Sequence, residues 1–382
     1  MAKNIVLCCD GTGNEFGDRN SNVVKLYSVL DLDNAASQVA YYHPGLGTMG
    51  APSALLKLTK WWTKLLGLAF GYGLADNLAD AYTFLMNEYE PGDRVFVFGF
   101  SRGSYTARAL CSMLHMFGLI RKGDDVLVEY ATRMLKGQAK NRFEVAAGFK
   151  SAFSRDCKPH FVGVWDTVSS VGWIHDPVKL PYTANNPDIG IGRHAISIDE
   201  RRCFYRQNLW SPPATPHAPQ DLQQVWFAGV HSDIGGGYPE AQSGLAKITL
   251  RWMLREAAAA GLLLDDAKVQ GVLGAGPGCA KPDPAVDLHH SLHGFWWLLE
   301  CLPRRHSVLV PGPNGTTEWV QKWHIPLGRR RQIVEGSCLH ESVVRRLELL
   351  TSYRPKNLPQ RYQVVTDLPL EQPEPVRVTR PA

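Results

Sequence analysis

Short apolar runs separated by polar, Gly- and Pro-containing segments recur along the chain. Runs such as Asn4–Cys9 and Arg94–Phe98 are rich in Val, Ile, Cys and Phe, which favours buried strands. Between the runs, apolar residues recur every three or four positions, as in Asn22–Leu30 and Leu74–Tyr89, which predicts helices. Strands that alternate with helices indicate an α/β fold, because right-handed crossovers bring successive strands back parallel. We therefore expect a mostly parallel central sheet flanked by helices.

The same patterns predict the remaining elements and the domain organisation. Further strands are predicted at 39–42, 161–165 and 225–230, and further helices at 105–117, 124–153, 194–201, 243–260 and 340–351. The long Pro-rich excursion 167–220 predicts a cap over the site. Residues 262–335 lack sustained periodicity, which predicts an irregular accessory region packed beside it. One domain is expected over 1–365, followed by a polar, Pro-rich and disordered tail at 366–382.

The strand Arg94–Phe98 leads into the sequence Gly99-Phe100-Ser101-Arg102-Gly103 and then into a predicted helix. A Gly-x-Ser-x-Gly turn between a strand and a helix is the nucleophile elbow of α/β-hydrolases. Its two glycines let the chain turn sharply and lift the serine hydroxyl above the sheet. The alternative is a tight strand–helix turn with a spectator serine. The setting favours Ser101 as a nucleophile and predicts an α/β-hydrolase-like fold with a helical cap.

Three more polar residues follow predicted strands, namely Asp10, Asp166 and His231. In parallel sheets, ligands bind beyond the carboxyl ends of the strands, so these side chains should gather near Ser101. The order Ser, Asp, His is the order of the catalytic triad in α/β-hydrolases. We therefore predict that His231 accepts the Ser101 proton and that Asp166 orients the imidazole and stabilises its charged form.

Other assignments of the carboxylate and the histidine stay open. Asp199, Asp233 and Asp176 are alternatives to Asp166, which is favoured because it directly follows a strand. We expect Asp233 to support the Gly-rich loop that follows His231. The histidine itself could instead be a loop residue bonded to the backbone.

A serine hydrolase also needs two backbone N–H donors for the oxyanion of the tetrahedral intermediate. The first is expected from Arg102, which directly follows the nucleophile. The second is expected from Gly11, Thr12 and Gly13, whose small side chains let backbone N–H groups approach a substrate. The alternative is that this loop is only a tight turn. We expect Asp10 to hold the loop or to contact the histidine.

Composition narrows the classes of function. The chain has 382 residues, 45% hydrophobic and 20% charged, which is ordinary for a globular protein. Its net charge of +5 is small, and the basic residues are scattered apart from Arg329–Arg331, so no binding to nucleic acid is expected. The histidines show no H-E-x-x-H or similar spacing. We therefore expect neither a metal nor an organic cofactor.

The spacing of the cysteines and the hydropathy of the chain indicate where in the cell the protein is made. The eight cysteines include no C-x-x-C pair, which predicts reduced thiols in a protein made in the cytoplasm. We recognise no signal peptide and no run of about 18 apolar residues. Residues 54–70 form a basic, aromatic and amphipathic stretch. It could insert into an anionic membrane surface, although a covering helix with snorkelling lysines is favoured.

Five stretches of the sequence together match a known family: Cys9–Asn14, Pro44–Thr48, Gly99–Gly103, Phe161–Thr167 and Trp226–Tyr238. With these motifs, and with similar C-terminal stretches at His340–Val343 and Tyr353–Pro355, the chain resembles the catalytic domain of lipase-effector-one-like phospholipases of type VI secretion, over roughly residues 3–360. The resemblance implies a triad of Ser101, Asp166 and His231. It further implies cleavage of glycerophospholipid esters, of A1 or A2 type, and secretion without a signal peptide into a target cell. A secretion spike or an immunity protein would then be a partner.

Three other functions stay open. The chain could be a cytoplasmic esterase with a small substrate. It could be a hydrolase-fold module that binds lipid or a partner protein without turnover. It could also be a membrane-associated structural protein that uses residues 54–70. The first needs an activated serine, whereas the other two do not.

Overall fold

The apolar runs of the sequence pair side by side in the computed structural model of the chain. The structure describes residues 2–11, 17–45, 70–168, 172–173, 176–177, 180–211, 220–311 and 317–369. The strands are β1 Asn4–Cys9, β2 Gln38–His43, β3 Arg94–Phe100, β4 Leu119–Ile120, β5 Ser154–Arg155, β6 Pro159–Trp165, β7 Gly172–Trp173, β8 Asp176–Pro177, β9 Ile191–Ser197, β10 Asp221–Phe227, β11 Arg304–Pro311, β12 Thr317–His324, β13 Cys338–His340 and β14 Gln363–Val365. The helices are α1 Asn22–Ser28, α2 Phe70–Glu88, α3 Arg102–Phe117, α4 Val126–Lys136, α5 Arg142–Phe153, α6 His231–Gly235, α7 Gly244–Ala259, α8 Asp266–Gln270, α9 Trp296–Glu300 and α10 Glu341–Leu349.

Eight of these strands form one central sheet in the order β14-β13-β10-β9-β6-β3-β1-β2. Every neighbouring pair in this sheet is parallel. The prediction of a parallel sheet flanked by helices is therefore confirmed, and the sheet is parallel throughout. Because all eight strands run the same way, their carboxyl ends meet at one edge, where a ligand site is expected.

Both faces of the sheet are buried, which explains the continuous apolar runs in the sequence. In β1, Ile5 and Leu7 point into one hydrophobic core, while Val6 and Cys8 point into the other. Helices α2 to α5 cover the first face, and α1 and α7 cover the second. Alternate side chains of a strand point to opposite faces, so a strand covered on both sides must be apolar at every position.

The prediction of a helix at 194–201 is wrong. Residues 194–197 belong to strand β9, which lies inside the central sheet. Its polar residues hid the strand from a hydropathy pattern. The Arg193 guanidinium is buried and pairs with the carboxylate of Glu256 at 2.6 Å. Residues 191–197 of the predicted cap therefore belong to the core of the fold.

The segments of the predicted cap on either side of β9 are hydrogen-bonded to α3. Buried Arg108 donates hydrogen bonds to the carbonyl oxygens of Thr183 and Asn208, at 2.5 and 2.6 Å. The Ser112 hydroxyl donates to the carbonyl of Pro181 at 2.5 Å. These contacts hold the segment against the helix that begins at the nucleophile elbow. A cap over the site remains a prediction, as does the single domain over 1–365.

The accessory region 262–335 contains more regular structure than the sequence predicted. It holds α8, α9 and an antiparallel hairpin of β11 and β12. The sequence also gave no sign of β13 and β14, which extend the central sheet at one end. The predicted amphipathic stretch at 54–70 lies outside the described residues apart from its last position, and so do residues 370–382 of the predicted tail. Among the described helices, none combines the length and apolar character needed to cross a membrane.

The two glycines of the elbow allow close crossings of backbone. A Cβ atom on Gly103 would lie 2.2 Å from the carbonyl oxygen of Cys9, and one on Gly99 would lie 2.6 Å from the carbonyl oxygen of Gly103. Real Cβ atoms do not approach backbone so closely. Glycine is therefore required where α3 passes over β1 and β3.

Replacing Gly103 with alanine is expected to lower the free energy of unfolding by about 3 kcal/mol, because the backbone of β1 or α3 must shift to admit the methyl group. Gly148 is a matched control, since it lies in helix α5 with open space around the added Cβ. Gly148→Ala should instead stabilise the protein by about 0.5–1 kcal/mol through helix propensity. Urea unfolding followed by far-UV circular dichroism measures both changes. Equal midpoints for the two variants would contradict the packing argument.

Candidate active site

Ser101 lies between β3 and α3 in an unusual backbone conformation. Its φ is 59° and its ψ is −118°, which places a non-glycine residue at positive φ. The Ser101 N–H donates to the carbonyl of Trp165 at 3.0 Å, so the turn is tied to the neighbouring strand β6. Strained residues of this kind are held where the surrounding structure fixes them, often at functional sites. A strained turn at this position is what the predicted nucleophile elbow requires.

His231 connects Ser101 with Asp166. The Ser101 Oγ lies 2.8 Å from the imidazole Nε2, and the imidazole Nδ1 lies 2.5 Å from Oδ2 of Asp166. Since a charged carboxylate can only accept hydrogen bonds, Nδ1 carries the proton and Nε2 is left to accept the serine proton. The imidazole ring packs against Phe100 and Tyr205, with ring centroids 4.7 and 4.6 Å away.

The local structure around His231 differs from the prediction. The fifth predicted strand was expected to reach residue 230, but β10 ends at Phe227. His231 is the first residue of the short helix α6, where a loop over 232–238 was predicted. The turn of α6 bends the chain back toward β3. It places the imidazole over Ser101 across the two strands that lie between β10 and β3.

Asp166 follows β6 directly and is fully buried. Its N–H donates to the carbonyl of Ala195 at 2.8 Å, and its Oδ1 accepts the N–H of Ser197 at 3.0 Å. Both of these partners belong to β9. The strand missed by the sequence prediction therefore holds the carboxylate in place, between the strand of Asp166 and the strand that precedes His231.

Arg331 binds both oxygens of this carboxylate, and the sequence did not point to it. Its Nη1 lies 2.5 Å from Asp166 Oδ1 and its Nη2 lies 2.9 Å from Oδ2. The guanidinium also donates to the carbonyl oxygens of Ser197 and Tyr205. Arg331 is 1% exposed and comes from the region predicted as irregular. Its place in the run Arg329–Arg331 gave no signal, because a basic run is usually solvated.

The charges around Asp166 and His231 set their protonation states. Burial by itself would raise the pKa of Asp166, but Arg331 and the hydrogen bond with His231 outweigh it and hold the pKa well below its ordinary value. Burial lowers the pKa of His231 from 6.5, although the hydrogen bond and charge of Asp166 act in the opposite direction. At neutral pH the carboxylate is therefore charged and the imidazole neutral, as a general base must be.

The alternative carboxylates bind elsewhere. Asp199 accepts the N–H of Gly229 and the hydroxyl of Tyr353, both at 2.9 Å. Asp233 accepts the N–H of Val230 at 3.0 Å and lies 2.6 Å from Nδ1 of His289, contacts that support the turn beside His231. The side chain of Asp176 lies outside the described part of the structure. Of the described candidates, Asp166 is the carboxylate within hydrogen-bond distance of the imidazole.

The structure describes Arg102 and Gly11 among the predicted oxyanion donors, but not Thr12 and Gly13. Arg102 is the first residue of α3, whose own hydrogen bonding leaves its first N–H groups for other partners. The Gly11 N–H already donates to Oδ1 of Asp10 at 2.6 Å. Thr12 and Gly13 lie outside the described residues. The second donor thus stays a prediction, with these two residues as its candidates.

Asp10 anchors the start of this first loop. Its Oδ2 accepts the hydroxyls of Ser21 and Tyr42, at 2.6 and 2.9 Å, while its Oδ1 accepts the N–H of Gly11. Two of these three bonds connect the loop to the start of α1 and to β2, and the third lies within the loop. This is the loop-holding role that the sequence predicted as one of two possibilities for Asp10.

Glu200 is a second buried residue that the sequence did not single out. Its Oε2 accepts the backbone N–H of His231 at 3.2 Å and pairs with Arg202 at 2.9 Å. Burial raises the pKa of Glu200, but the hydrogen bond and charge of Arg202 outweigh it and lower the pKa to about 2. The charged carboxylate therefore fixes the first turn of α6 and, through it, the position of the imidazole.

One group of described side chains has the composition of a metal site, namely His340, Glu341 and Asp367. Two of its members have structural partners. Asp367 pairs with Arg251 at 2.8 Å, and His340 accepts the N–H of Ser342 at the start of α10. The group lies at the end of β13, at the start of α10 and beyond β14, and these contacts of Asp367 and His340 do not involve Ser101, His231 or Asp166.

Comparisons with known proteins give a family for more than half of the chain. Residues 3–256 match the family described as "T6SS, Phospholipase effector Tle1-like, catalytic domain". An uncharacterized protein of Saccharomyces cerevisiae is 36% identical over 234 residues, which are 57% of this chain and 34% of the yeast protein. The chain thus spans about a third of the length of that curated relative.

Two solved structures are similar at 19% sequence identity. One is an uncharacterized protein from Pseudomonas aeruginosa, with a TM-score of 0.40 over 69% of this chain and 46% of the other. The second is the Tle1 effector bound to the VgrG spike from the type 6 secretion system, with a TM-score of 0.34 over 64% of this chain and 53% of the other. This chain therefore covers about half of each of these proteins.

Proposed function

Because this chain belongs to the family of Tle1-like catalytic domains of type VI secretion phospholipase effectors, we propose that it hydrolyses a carboxylic ester bond of glycerophospholipids. The nucleophile is Ser101, the base is His231 and the orienting carboxylate is Asp166. One observation carries this assignment: the three side chains form a continuous hydrogen-bonded series, with steps of 2.8 and 2.5 Å, at the carboxyl edge of the sheet. Membership of a phospholipase family implies a hydrolase, and the series supplies the groups that ester hydrolysis needs.

The first half of the reaction acylates the serine. Ser101 Oγ attacks the ester carbonyl carbon as its proton passes to Nε2 of His231. The imidazolium is stabilised by Asp166, and the oxyanion accepts the Arg102 N–H and a second donor from the first loop. When the tetrahedral intermediate collapses, the C–O bond to the glycerol breaks. The imidazolium gives its proton to that oxygen, which leaves as the alcohol of a lysophospholipid.

The second half releases the acyl group. A water molecule takes the place of the leaving alcohol and gives a proton to Nε2 of His231 as its oxygen attacks the acyl carbon. Collapse of this intermediate breaks the bond to Ser101 Oγ, which recovers its proton from the imidazolium. The products are a fatty acid and a lysophospholipid, and the enzyme returns to its starting state.

From membership of the family we propose that the protein is an antibacterial effector delivered by type VI secretion. Delivery would require a secretion spike, and self-protection would require an immunity protein in the producing cell. Both partners are proposals that depend on family membership.

A second candidate is an esterase with a small substrate in the cytoplasm. A sequence 36% identical over 234 residues occurs in a eukaryote, so proteins of this kind are not confined to bacterial secretion. The triad would be the same in this case. The two candidates differ in the size of the ester and in whether it is presented in a bilayer.

Vesicles of a glycerophospholipid with different fatty acids at its two positions distinguish these functions. The purified protein is expected to release one fatty acid in preference to the other, with a matching lysophospholipid, as measured by mass spectrometry. If the protein hydrolyses a short nitrophenyl ester but leaves the vesicle lipids uncleaved, the small-substrate esterase is favoured. Failure to hydrolyse either ester, with no covalent labelling by a fluorophosphonate, would favour a binding module and reject the enzyme.

A further inference from the structure

Exposed apolar side chains gather on two short segments of the accessory region, 296–302 and 322–329. Six large apolar residues there are between 43% and 63% exposed. These residues, here named the apolar surface, are Trp297, Leu298, Leu302, Trp323, Ile325 and Leu327. Single exposed apolar residues need no explanation, but a group of this size marks a site of interaction.

The two segments are bonded to each other and form one surface. The Leu327 N–H donates to the carbonyl of Glu300 at 3.1 Å, and the Gly328 N–H donates to the Glu300 carboxylate at 3.0 Å. A Cβ atom on Gly328 would lie 3.3 Å from the indole of Trp297. On the other side, the hairpin pairs Arg304 with His324, which brings the end of the first segment next to the start of the second. The two segments that carry the apolar side chains are therefore neighbours in space.

The two segments that form this surface carry a net positive charge. Glu300 is the one acidic residue in the two segments of sequence, and it is fully buried. Its carboxylate faces inward and accepts the N–H of Cys203 at 2.6 Å. Lys322 and Arg329 are exposed, and the Arg201 guanidinium lies 6.0 Å from the ring centroid of Trp297. Cations thus border the apolar side chains, and no exposed carboxylate of these segments offsets them.

The apolar surface is connected to the candidate active site by aromatic contacts. Trp296, the neighbour of Trp297, packs edge-on against Tyr205 with ring centroids 5.7 Å apart. Tyr205 in turn packs on the imidazole of His231 at 4.6 Å. The Arg202 guanidinium lies over both Tyr205 and Trp296, at 3.8 and 5.0 Å. Two layers of rings therefore separate the surface from the proposed general base.

We propose that the apolar surface binds anionic phospholipid bilayers. Its Trp and Leu side chains insert at the boundary between headgroups and acyl chains, the depth that tryptophan favours. Lys322 and Arg329 bind lipid phosphates, because cations beside an amphipathic surface are attracted to an anionic leaflet. A second copy of the chain is a poorer occupant, since pairing this surface with itself would bring its cations together. That the bound bilayer supplies substrate to Ser101 rests on the proposed function, whereas the binding itself does not.

Flotation with vesicles tests the binding in a Ser101→Ala background, which leaves the lipid intact. Neutral phosphatidylcholine vesicles and vesicles with added phosphatidylglycerol are compared. The combined change Trp297→Ser, Leu298→Ser and Leu327→Ser should lower the partition coefficient on anionic vesicles at least about tenfold. Val126→Ser and Leu349→Ser are matched controls, because both residues are exposed apolar positions on other helices. The control variant should bind as the parent does.

Charge reversal provides a second measurement. Lys322→Glu with Arg329→Glu should weaken binding to anionic vesicles about tenfold and remove its salt dependence, while Lys122→Glu with Lys140→Glu, exposed cations elsewhere, should change it less than twofold. Equal vesicle binding by the parent and the triple serine variant would overturn the proposal. So would a parent that dimerises through this surface and does not bind vesicles, as shown by light scattering.

Rate measurements with proteins that keep Ser101 distinguish the failure of this proposal from the failure of the proposed function. If both hold, the triple serine variant keeps its rate on a soluble short-chain ester and loses at least about tenfold on vesicles. Vesicle binding that depends on the surface, in a protein that hydrolyses no ester, would reject the enzymatic function and leave the binding site standing. Hydrolysis of vesicles at the same rate by the parent and the variant would reject the surface and leave the enzyme standing.

Discussion

Replacing Ser101 with alanine is expected to lower kcat on a nitrophenyl ester and on phospholipid by about four orders of magnitude or more, and to abolish labelling by a fluorophosphonate. The variant lacks the Oγ that lies 2.8 Å from His231, so no covalent acyl intermediate can form. The fold should persist, because the N–H of residue 101 can still donate to Trp165 and alanine removes only one hydroxyl. The measurement combines initial rates with mass spectrometry of the labelled protein.

Ser112→Ala is the matched control for this variant. Ser112 lies on α3, the helix that begins directly after Ser101; it is buried and donates a hydrogen bond to the carbonyl of Pro181. Its loss should cost about 1 kcal/mol of unfolding free energy and leave fluorophosphonate labelling intact. If the Ser101→Ala protein is labelled or turns over ester at the rate of the control, another residue is the nucleophile and the proposed function is wrong.

Replacing Arg331 with methionine is expected to produce the second largest effect, on stability as well as on rate. The guanidinium binds both oxygens of the buried carboxylate of Asp166. Removing one partner of a buried ion pair leaves a charge without compensation, which costs about 3–5 kcal/mol of unfolding free energy. A carboxylate that can move also orients the imidazole less well, so kcat/KM should fall roughly a hundredfold. Urea unfolding and ester hydrolysis measure the two effects.

The pH dependence of the Arg331 variant distinguishes a role in positioning and charge from a merely structural one. Without the guanidinium, the charge of Asp166 acts more strongly on the imidazole, so the pKa of His231 rises from its lowered value. Because the base must be neutral, activity is lost as the pH falls through this pKa. The acid limb of kcat/KM should therefore move to higher pH in the variant. A purely structural defect would lower the rate at every pH without moving the limb.

The stability of the parent should also respond to acid in a defined direction. The folded-state pKa of Asp166 is depressed below its ordinary value of 3.8. The carboxylate therefore stabilises the fold above that value, and this stabilisation is lost as the pH falls toward the depressed pKa. The difference in unfolding free energy between the parent and Arg331→Met should then shrink as the pH falls below about 3.8 toward the depressed pKa.

Two further variants serve as controls for Arg331. Arg330→Met removes a neighbouring cation that is one-third exposed and pairs with Asp199 at 3.6 Å, so it should cost less than about 1 kcal/mol and keep the parental pH profile. Arg331→Lys keeps the charge but loses the two-point geometry, and it should recover part of the stability and most of the pH profile. Identical behaviour of the methionine variants at 330 and 331 would contradict the role assigned to Arg331.

Local pattern was sufficient to predict much of the fold. The strand at Asn4–Cys9 has the predicted bounds, and the elbow strand and helix extend the predicted ones by a few residues. These elements have continuous apolar runs or clear helical spacing, and burial on both faces of the sheet imposes such patterns. The pattern failed at β9, where Arg193 and His194 are buried in the sheet. It also failed at β13 and β14, which are three residues long and carry too little periodicity to detect.

In the candidate site, too, some residues could be predicted from local pattern and others could not. Ser101 could be predicted because the elbow requires glycine at fixed positions around it, and residues that follow strands could be predicted to share one edge of a parallel sheet. Arg331 and Glu200 could not be predicted. A buried ion pair is made by the partner that long-range folding provides, and Arg331 lies 165 residues from Asp166 along the chain. Nothing in the residues around it signals that contact.

The sequence by itself determined the class of fold, the sharp turn at Ser101 and the order of the groups along the chain, because these depend on local sterics and on the periodicity of burial. Only the tertiary structure decided which carboxylate meets His231, since the order of strands in a sheet is not written in any one strand. Folding inserts β9 between the strands that lead to Asp166 and His231, and it brings Arg331 onto the carboxylate. The protonation states of the site follow from these contacts, because burial and neighbouring charge exist only once the chain is folded.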